Sequence, residues 1–224
     1  MSVHFISDKK LTLHDLSSIL TGEKTVQLSE EAKRKIIQCR EYLDQKLATS
    51  HQPIYGINTG FGSLYNRNIS HDQLEKLQEN LVKSHACGTG PEVPGEIVKL
   101  MLFLKAQSLA YGYSGVQLVT TERLLDMYNH NVLPVIYEMG SLGASGDLAP
   151  LAHLSLPMLG LGEVYIHRER KTGEEINKQF NWPAIHFQAK EGLALLNGTQ
   201  FMSAYGTWCI LHAHRIKQLA NIIG

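Results

Sequence analysis

The stretch Gly140-Ser141-Leu142-Gly143-Ala144-Ser145-Gly146-Asp147 sets small residues and one carboxylate directly ahead of an apolar run. As plain structure it is a tight loop closed by an aspartate helix cap. As chemistry it can build an electrophile from the chain itself. Attack of the Gly146 nitrogen on the Ala144 carbonyl carbon closes a five-membered ring that holds Ser145. Loss of two waters then leaves an exocyclic methylene in place of the Ser145 side chain. A Cβ at position 146 would crowd that attack. A hydrolase nucleophile elbow does not fit, because Gly-x-Ser-x-Gly would require glycine where Asp147 stands.

Other polar residues carry less on their own. Tyr55, in the glycine-rich run Tyr55 to Gly62, reads as a packed aromatic, and Asn197-Gly198 reads as a turn or a helix cap. His85 reads as a cation at a helix carboxyl end, and His153 as a structural histidine in an apolar helix. His212 and His214 are two apart and point to different helix faces, and no His-Cys-carboxylate spacing predicts a metal site. The glycines of 56–62 lack the lysine of a phosphate loop.

Helices must position these residues, and most of the first half reads that way. Thr12 with Asp15 predicts a capping box, Leu13, Leu16, Ile19 and Leu20 follow at helical spacing, and Gly22 is placed to end the helix. A second helix is predicted after Ser29, with Glu30 and Glu31 at its positive end and Ala32, Ile36, Cys39, Leu43 and Leu47 on one face. Residues 50–69 break the pattern and predict strand plus loop. Ser70 and Gln73 form a cap signature ahead of Leu74, Leu77, Leu81 and Val82. Residues 96–111, apolar nearly all round, predict a buried helix, and 116–129 another helix. Asp147 reads as the N-cap of a helix over 147–160, with Pro150 tolerated in the first turn. Val164-Tyr165-Ile166 reads as a strand and Lys171-Thr172-Gly173-Glu174 as a hairpin turn. From about Thr199 a last helix keeps Met202, Tyr205, Trp208, Ile216, Leu219 and Ile223 recurring, an apolar face that needs a partner.

Composition narrows the class. The 224 residues are 43% hydrophobic and 19% charged, which describes a globular chain and excludes disorder and a collagen-like repeat. Twenty-one basic residues balance 21 acidic ones, so no basic field serves nucleic acid or an anionic membrane. Three cysteines without a pairing pattern predict a reducing, cytoplasmic setting. The amino terminus lacks a signal-peptide core, and no run approaches the ~20 apolar residues of a membrane span.

The run Gly143-Ala144-Ser145-Gly146-Asp147-Leu148-Ala149-Pro150-Leu151-Ala152-His153 resembles the prosthetic-group segment of the aromatic amino acid ammonia-lyases, most closely the histidine ammonia-lyases. Three further segments agree in order. Tyr55 to Gly62 is similar to the family's tyrosine loop, Asn80 to Ala86 to its substrate-selecting segment, and Glu191 to Thr199 to its asparagine motif.

The resemblance implies a mainly α fold with a few short strands, the amino-terminal part of the ammonia-lyase (fumarase/aspartase-like) helical fold. Residues 1–224 would form one region, an electrophile-bearing domain followed at about 199–224 by the start of a central helical bundle. It implies that Ala144, Ser145 and Gly146 cyclise to 4-methylideneimidazol-5-one with help from Asp147 and without an external cofactor or metal. Tyr55 corresponds to the tyrosine that takes the substrate's β-proton, Asn197 to the asparagine on the prosthetic ring, and His85 to the residue that engages the substrate side chain. The implied substrate is L-histidine, converted to urocanate and ammonia by a homotetramer. A tyrosine ammonia-lyase or an aminomutase with the same ring is the near alternative, and a catalytically silent helical assembly module the distant one.

If Asp147 caps a helix starting at Leu148, the ring lies at that helix's positive end, which favours the negative charge that develops on attack. Members of the family are much longer and draw active-site residues from several subunits, so 224 residues are expected to be a portion of such an enzyme. The purified chain alone is expected to make little or no urocanate. Turnover at a rate comparable with a full-length relative would refute this.

Overall fold

The computed structural model describes residues 2–21, 24–49, 52–62, 65, 69–70 and 73–224. Ser2–Ile6 (β1) and Lys24–Leu28 (β2) pair in parallel, Ser2 opposite Lys24 and Ile6 opposite Leu28, with Leu13–Leu20 (α1) between them. Glu30–Thr49 (α2) and Leu74–His85 (α3) follow, then Thr89–Glu92 (β3), Gly95–Leu109 (α4) and Leu118–Asn129 (α5). Leu133–Pro134 (β4) and Tyr137–Met139 (β5) lead to Leu148–Ser155 (α6), which runs on as one 3₁₀ turn. Glu163–Ile166 (β6), Glu169–Thr172 (β7), Gly173–Gln179 (α7), Glu191–Leu196 (α8) and Gln200–Ile223 (α9) complete the chain. β3 pairs antiparallel with β5, and β4, β6 and β7 form a small antiparallel sheet.

The mainly helical class read from the sequence holds, and the local signals explain much of it. Thr12 and Asp15 close the capping box of α1 as read. α2 buries Ala32, Ile36 and Leu43 on the face read for it, and adds Arg40. α4 is buried nearly all round because α5 and α9 pack around it, burying Ile97, Leu100, Met101, Leu102, Phe103 and Ala106. β2 is held at its free edge by Asn129, whose side-chain amide exchanges two 2.9 Å hydrogen bonds with the Val26 main chain. No described helix is long and apolar enough to cross a membrane.

Four readings are corrected. The 52–62 segment forms turns instead of a strand. Asn58 Oδ1 takes the Ile54 N–H at 2.6 Å, and the Asn58 N–H donates to Ile54 O, so one side chain supplies what a strand partner would. The hairpin of β6 and β7 turns at His167-Arg168, both at positive φ (51° and 68°), as a two-residue turn requires. Thr172, read as part of that turn, instead closes a capping box with Glu175 and starts α7. α3 begins at Leu74, but Gln73 contributes no side-chain cap, and its N–H donates to the main-chain oxygen of Ser70. Gly22, read as the end of α1, lies outside the described residues.

Glu191, at the first position of α8, is 0% exposed and uses both carboxylate oxygens. Oε1 accepts from the Gln117 N–H at 2.8 Å and the Thr120 hydroxyl at 2.6 Å. Oε2 accepts from the Gln117 side-chain amide at 2.6 Å and the Gln188 N–H at 2.8 Å. It thereby caps the amino end of α5 from a different helix. Arg40 works from the other side, donating to the carbonyls of Gly115 and Ala189 at 2.8 Å each. Glu191→Ala strands these donors and is expected to destabilise the chain by about 3 kcal/mol. Urea unfolding checks this, and a change below about 1 kcal/mol overturns the account.

Candidate active site

Gly143 and Gly146 both take positive φ, 77° and 105°, so the chain between them bends as only glycine does without strain. A Cβ on Gly146 would stand 2.5 Å from Gly198 O, which is where the loop meets the turn after α8. The next residue fastens that contact, since the Asp147 N–H donates to Gly198 O at 2.7 Å.

The Asp147 carboxylate is buried (3% exposed) and bridges two segments. Oδ1 accepts from the Ser141 hydroxyl and Oδ2 from the Met202 N–H, each at 3.0 Å. Met202 lies in the first turn of α9, so the carboxylate faces the positive end of that helix. Here the sequence reading is corrected. Asp147 does precede α6, yet its side chain makes no cap there, and the Leu148 N–H donates to Gly146 O at 3.0 Å instead. The acid reaches across to α9 because that helix's amides have no acceptor of their own side chain at the cap.

Asn197 ends α8 and sends its side-chain amide to Ser145 O at 3.2 Å. Its own carbonyl accepts from Lys105 Nζ at 3.1 Å. Lys105 is 1% exposed in the middle of α4, and burial pushes its amine down to about 7. Sequence reading passed over this lysine. The signal was its isolation in the apolar run from Ile97 to Leu109. Above this buried layer, Leu142, Gly143, Ala144 and Ser145 are exposed.

His85, half-buried at the end of α3, donates from Nδ1 to Leu81 O at 2.8 Å. A carbonyl only accepts, so Nδ1 carries a proton, and Nε2 is the ring nitrogen left to face a substrate. Three residues on, the Gly88 N–H donates to Nε2 of His153 at 3.0 Å, and the His153 ring packs edge-on against Tyr137. His153, read as structural, thus ties the segment after His85 to α6.

Tyr55 is 57% exposed, and its ring meets Phe61 edge-on with centroids 6.2 Å apart. Gly56 beside it, at φ 73°, presses on Leu193 of α8, so the loop rests on the helix that carries Asn197. Among the described residues no hydrogen bond joins Tyr55 to Ser145, Asn197 or His85. The structure therefore brings Ser145, Gly146, Asp147 and Asn197 into one hydrogen-bonded cluster, and leaves Tyr55 and His85 outside it.

Metal-ligand atoms converge once among the described residues, at Glu75, Glu79 and His186, all within 4.8 Å of one another. These groups already pair with neighbours, Glu75 with His186 and Glu79 with Lys83, and none belongs to the Asp147 cluster.

Comparison with known proteins gives four concordant findings. The family described as aromatic amino acid lyase matches residues 11–224. The histidine ammonia-lyase of Caldanaerobacter subterraneus subsp. tengcongensis is 45% identical over 218 residues, 97% of this chain and 43% of that protein. The crystal structure of histidine ammonia-lyase from Trypanosoma cruzi superposes with a TM-score of 0.89 at 36% identity, covering 99% of this chain and 43% of that one. A tyrosine aminomutase from Streptomyces globisporus superposes with a TM-score of 0.84 at 30% identity, covering 92% and 38%. The chain thus spans somewhat under half the length of the curated relatives it matches.

Burial holds the His153 imidazole below its ordinary value of 6.5. The unfolded chain then takes up this proton first as the pH falls. The stability His153 contributes is therefore complete above 6.5 and is lost as the pH drops from there through the folded value. Melting temperatures of the parent chain and His153→Gln, compared from about pH 8 to about pH 5, should diverge at high pH and converge at low pH. Parallel curves would remove His153 as the titrating link.

Proposed function

The chain belongs to the aromatic amino acid lyase family, and from that premise we propose that it carries the electrophile-forming part of a histidine ammonia-lyase, which converts L-histidine to urocanate and ammonia. The observation that carries the reading is the clamp on the Ala144-Ser145-Gly146 bend. Asn197 Nδ2 holds Ser145 O, and Gly146 lies so close to Gly198 O that a Cβ would not fit. Those residues suit 4-methylideneimidazol-5-one. The bend has glycine at 146, at positive φ and with no Cβ to crowd the attack on Ala144, the exposed Ser145 leaves its side chain open to a substrate, and the ring needs no outside atom. When formed, the group supplies a methylidene electrophile for the substrate amine.

The chain's own residues do the rest. Asp147 assists ring formation by holding the bend, through its N–H to Gly198 and its carboxylate to Ser141 and Met202. Asn197 keeps the Ser145 carbonyl in place. The amino end of α6 follows the bend directly and favours negative charge there. Tyr55, on its exposed loop against α8, takes the β-proton. His85 presents the Nε2 lone pair to the substrate's imidazole N–H, with Nδ1 already committed to Leu81. The same lone pair would accept a phenol O–H, which is why tyrosine is the second substrate to assay, in line with the aminomutase likeness.

Residues 1–224 are read as one region in which α9 begins a central bundle. Met202, Ile216, Leu219 and Ile223 are exposed along α9 and support a homotetramer with the rest of the enzyme's length. The net charge of zero suits a small zwitterionic substrate, and three unpaired cysteines favour the cytoplasm.

Intact mass with peptide mapping tests the electrophile. The expected result is a deficit of two water molecules confined to residues 144–146 in the parent chain and absent from Gly146→Ala. A parent chain at full mass would sink the reading. On a version extended to the length of its relatives, release of urocanate from histidine, weighed against product from tyrosine, decides the substrate.

A further inference from the structure

Besides the 3.0 Å hydrogen bond from the Asn197 N–H to Leu193 O that closes α8, Asn197 and Gly198 are fastened at three points. Asn197 Nδ2 holds Ser145 O at 3.2 Å, and Gly198 O holds the Asp147 N–H at 2.7 Å. Both of these run to the exposed bend itself, so each is only as firm as the turn that makes it. The third runs to the scaffold, from Asn197 O to Lys105 Nζ at 3.1 Å.

The ends of that third bond differ in rigidity. Asn197 is exposed and lies just past the last turn of α8, a helix of six residues, so burial does not hold it. Lys105 is enclosed in α4 between Ala106, Leu102 and Met101, themselves buried. Among the described residues its amine has no carboxylate partner and no hydrogen-bond acceptor other than Asn197 O. A buried amine without that acceptor would cost more than an apolar side chain of the same length. Burial pushes the group down to about 7, and it can donate to a carbonyl whether or not it carries the extra proton, so no counter-ion is required.

We propose that Lys105 is a positioning residue: from the buried helix α4 it anchors the Asn197 carbonyl and so fixes the Asn197–Gly198 turn against the Ala144-Ser145-Gly146 bend while the ring forms. The proposal rests on the ring-forming reading for its consequence, although the anchoring itself is a property of the fold.

Two measurements on the parent chain and on Lys105→Met, Lys105→Arg and Leu100→Ala separate the cases. Ring formation is read as the fraction of molecules lighter by two waters. Anchoring is read as hydrogen exchange of the Asp147 amide, which is bonded to Gly198 O. Lys105→Met is expected to lower the ring-formed fraction at least tenfold and to speed Asp147 exchange by a similar factor. Lys105→Arg, which keeps a donor, should recover most of both. Leu100→Ala, which truncates a buried side chain on another face of α4, should lower the melting temperature yet leave both readouts near the parent values. Should Lys105→Met fail to fold, Lys105→Gln, too short to reach Asn197, is read in the same way. Parent-like exchange and ring formation in Lys105→Met or Lys105→Gln would overturn the proposal, as would equal losses in Leu100→Ala. A parent chain without the two-water deficit defeats the ring-forming reading alone, and the exchange arm then still decides the role of Lys105.

Discussion

A carboxylate taken out of water must be given donors, and the arrangement around the bend follows from that requirement. Asp147 and Glu191 are both buried, and each finds one or more donors at the amino end of a helix to which it does not belong. Asp147 takes the first-turn amide of α9, and Glu191 takes the cap amide and the Thr120 hydroxyl of α5. Helix amino ends have unpaired N–H groups and a partial positive charge, so each contact satisfies two needs at once. Because removal of either partner strands the other, the two carboxylates fix where α5, α8 and α9 stand relative to the loop that precedes α6.

That arrangement separates a rigid underside from an open face. Below the bend lie α4 and Lys105, fully enclosed, and above it Ala144 and Ser145 are exposed, with Leu142 beside them 92% exposed. The electrophile proposed for this bend needs access for its substrate and immobility for its own atoms, and different layers would meet the two demands. Immobility reaches the surface along hydrogen bonds, from Lys105 to Asn197 and from Asn197 to Ser145. A neutral His153 extends the same framework toward His85 through the Gly88 amide.

Much of the helical content was legible in residue order. The capping box at Thr12 and Asp15, the single buried face of α2 and the all-round apolar α4 are local patterns, set by side chains within one or two turns. β1 was not read, because five residues carry too little alternation and its partner β2 lies on the far side of α1. Glycine at 173 favours a turn over Lys171 to Glu174, whereas Thr172 and Glu175 stand at capping-box spacing and start α7. The real turn uses His167 and Arg168, residue types with no special liking for positive φ, held there by strand pairing on either side.

Of the candidate site, residue order by itself determined the small-residue bend, its aspartate and the motifs that carry the family likeness, because these are matters of side-chain size and spacing along the chain. Tertiary structure decided what each one touches. It turned Asp147 from the helix it precedes to the helix fifty residues on, set Asn197 against Ser145, and put a buried lysine behind Asn197. None of these pairings leaves a periodic trace. They arise when buried donors and acceptors from distant segments must satisfy one another in the absence of water, and only the packed chain says which segments those are.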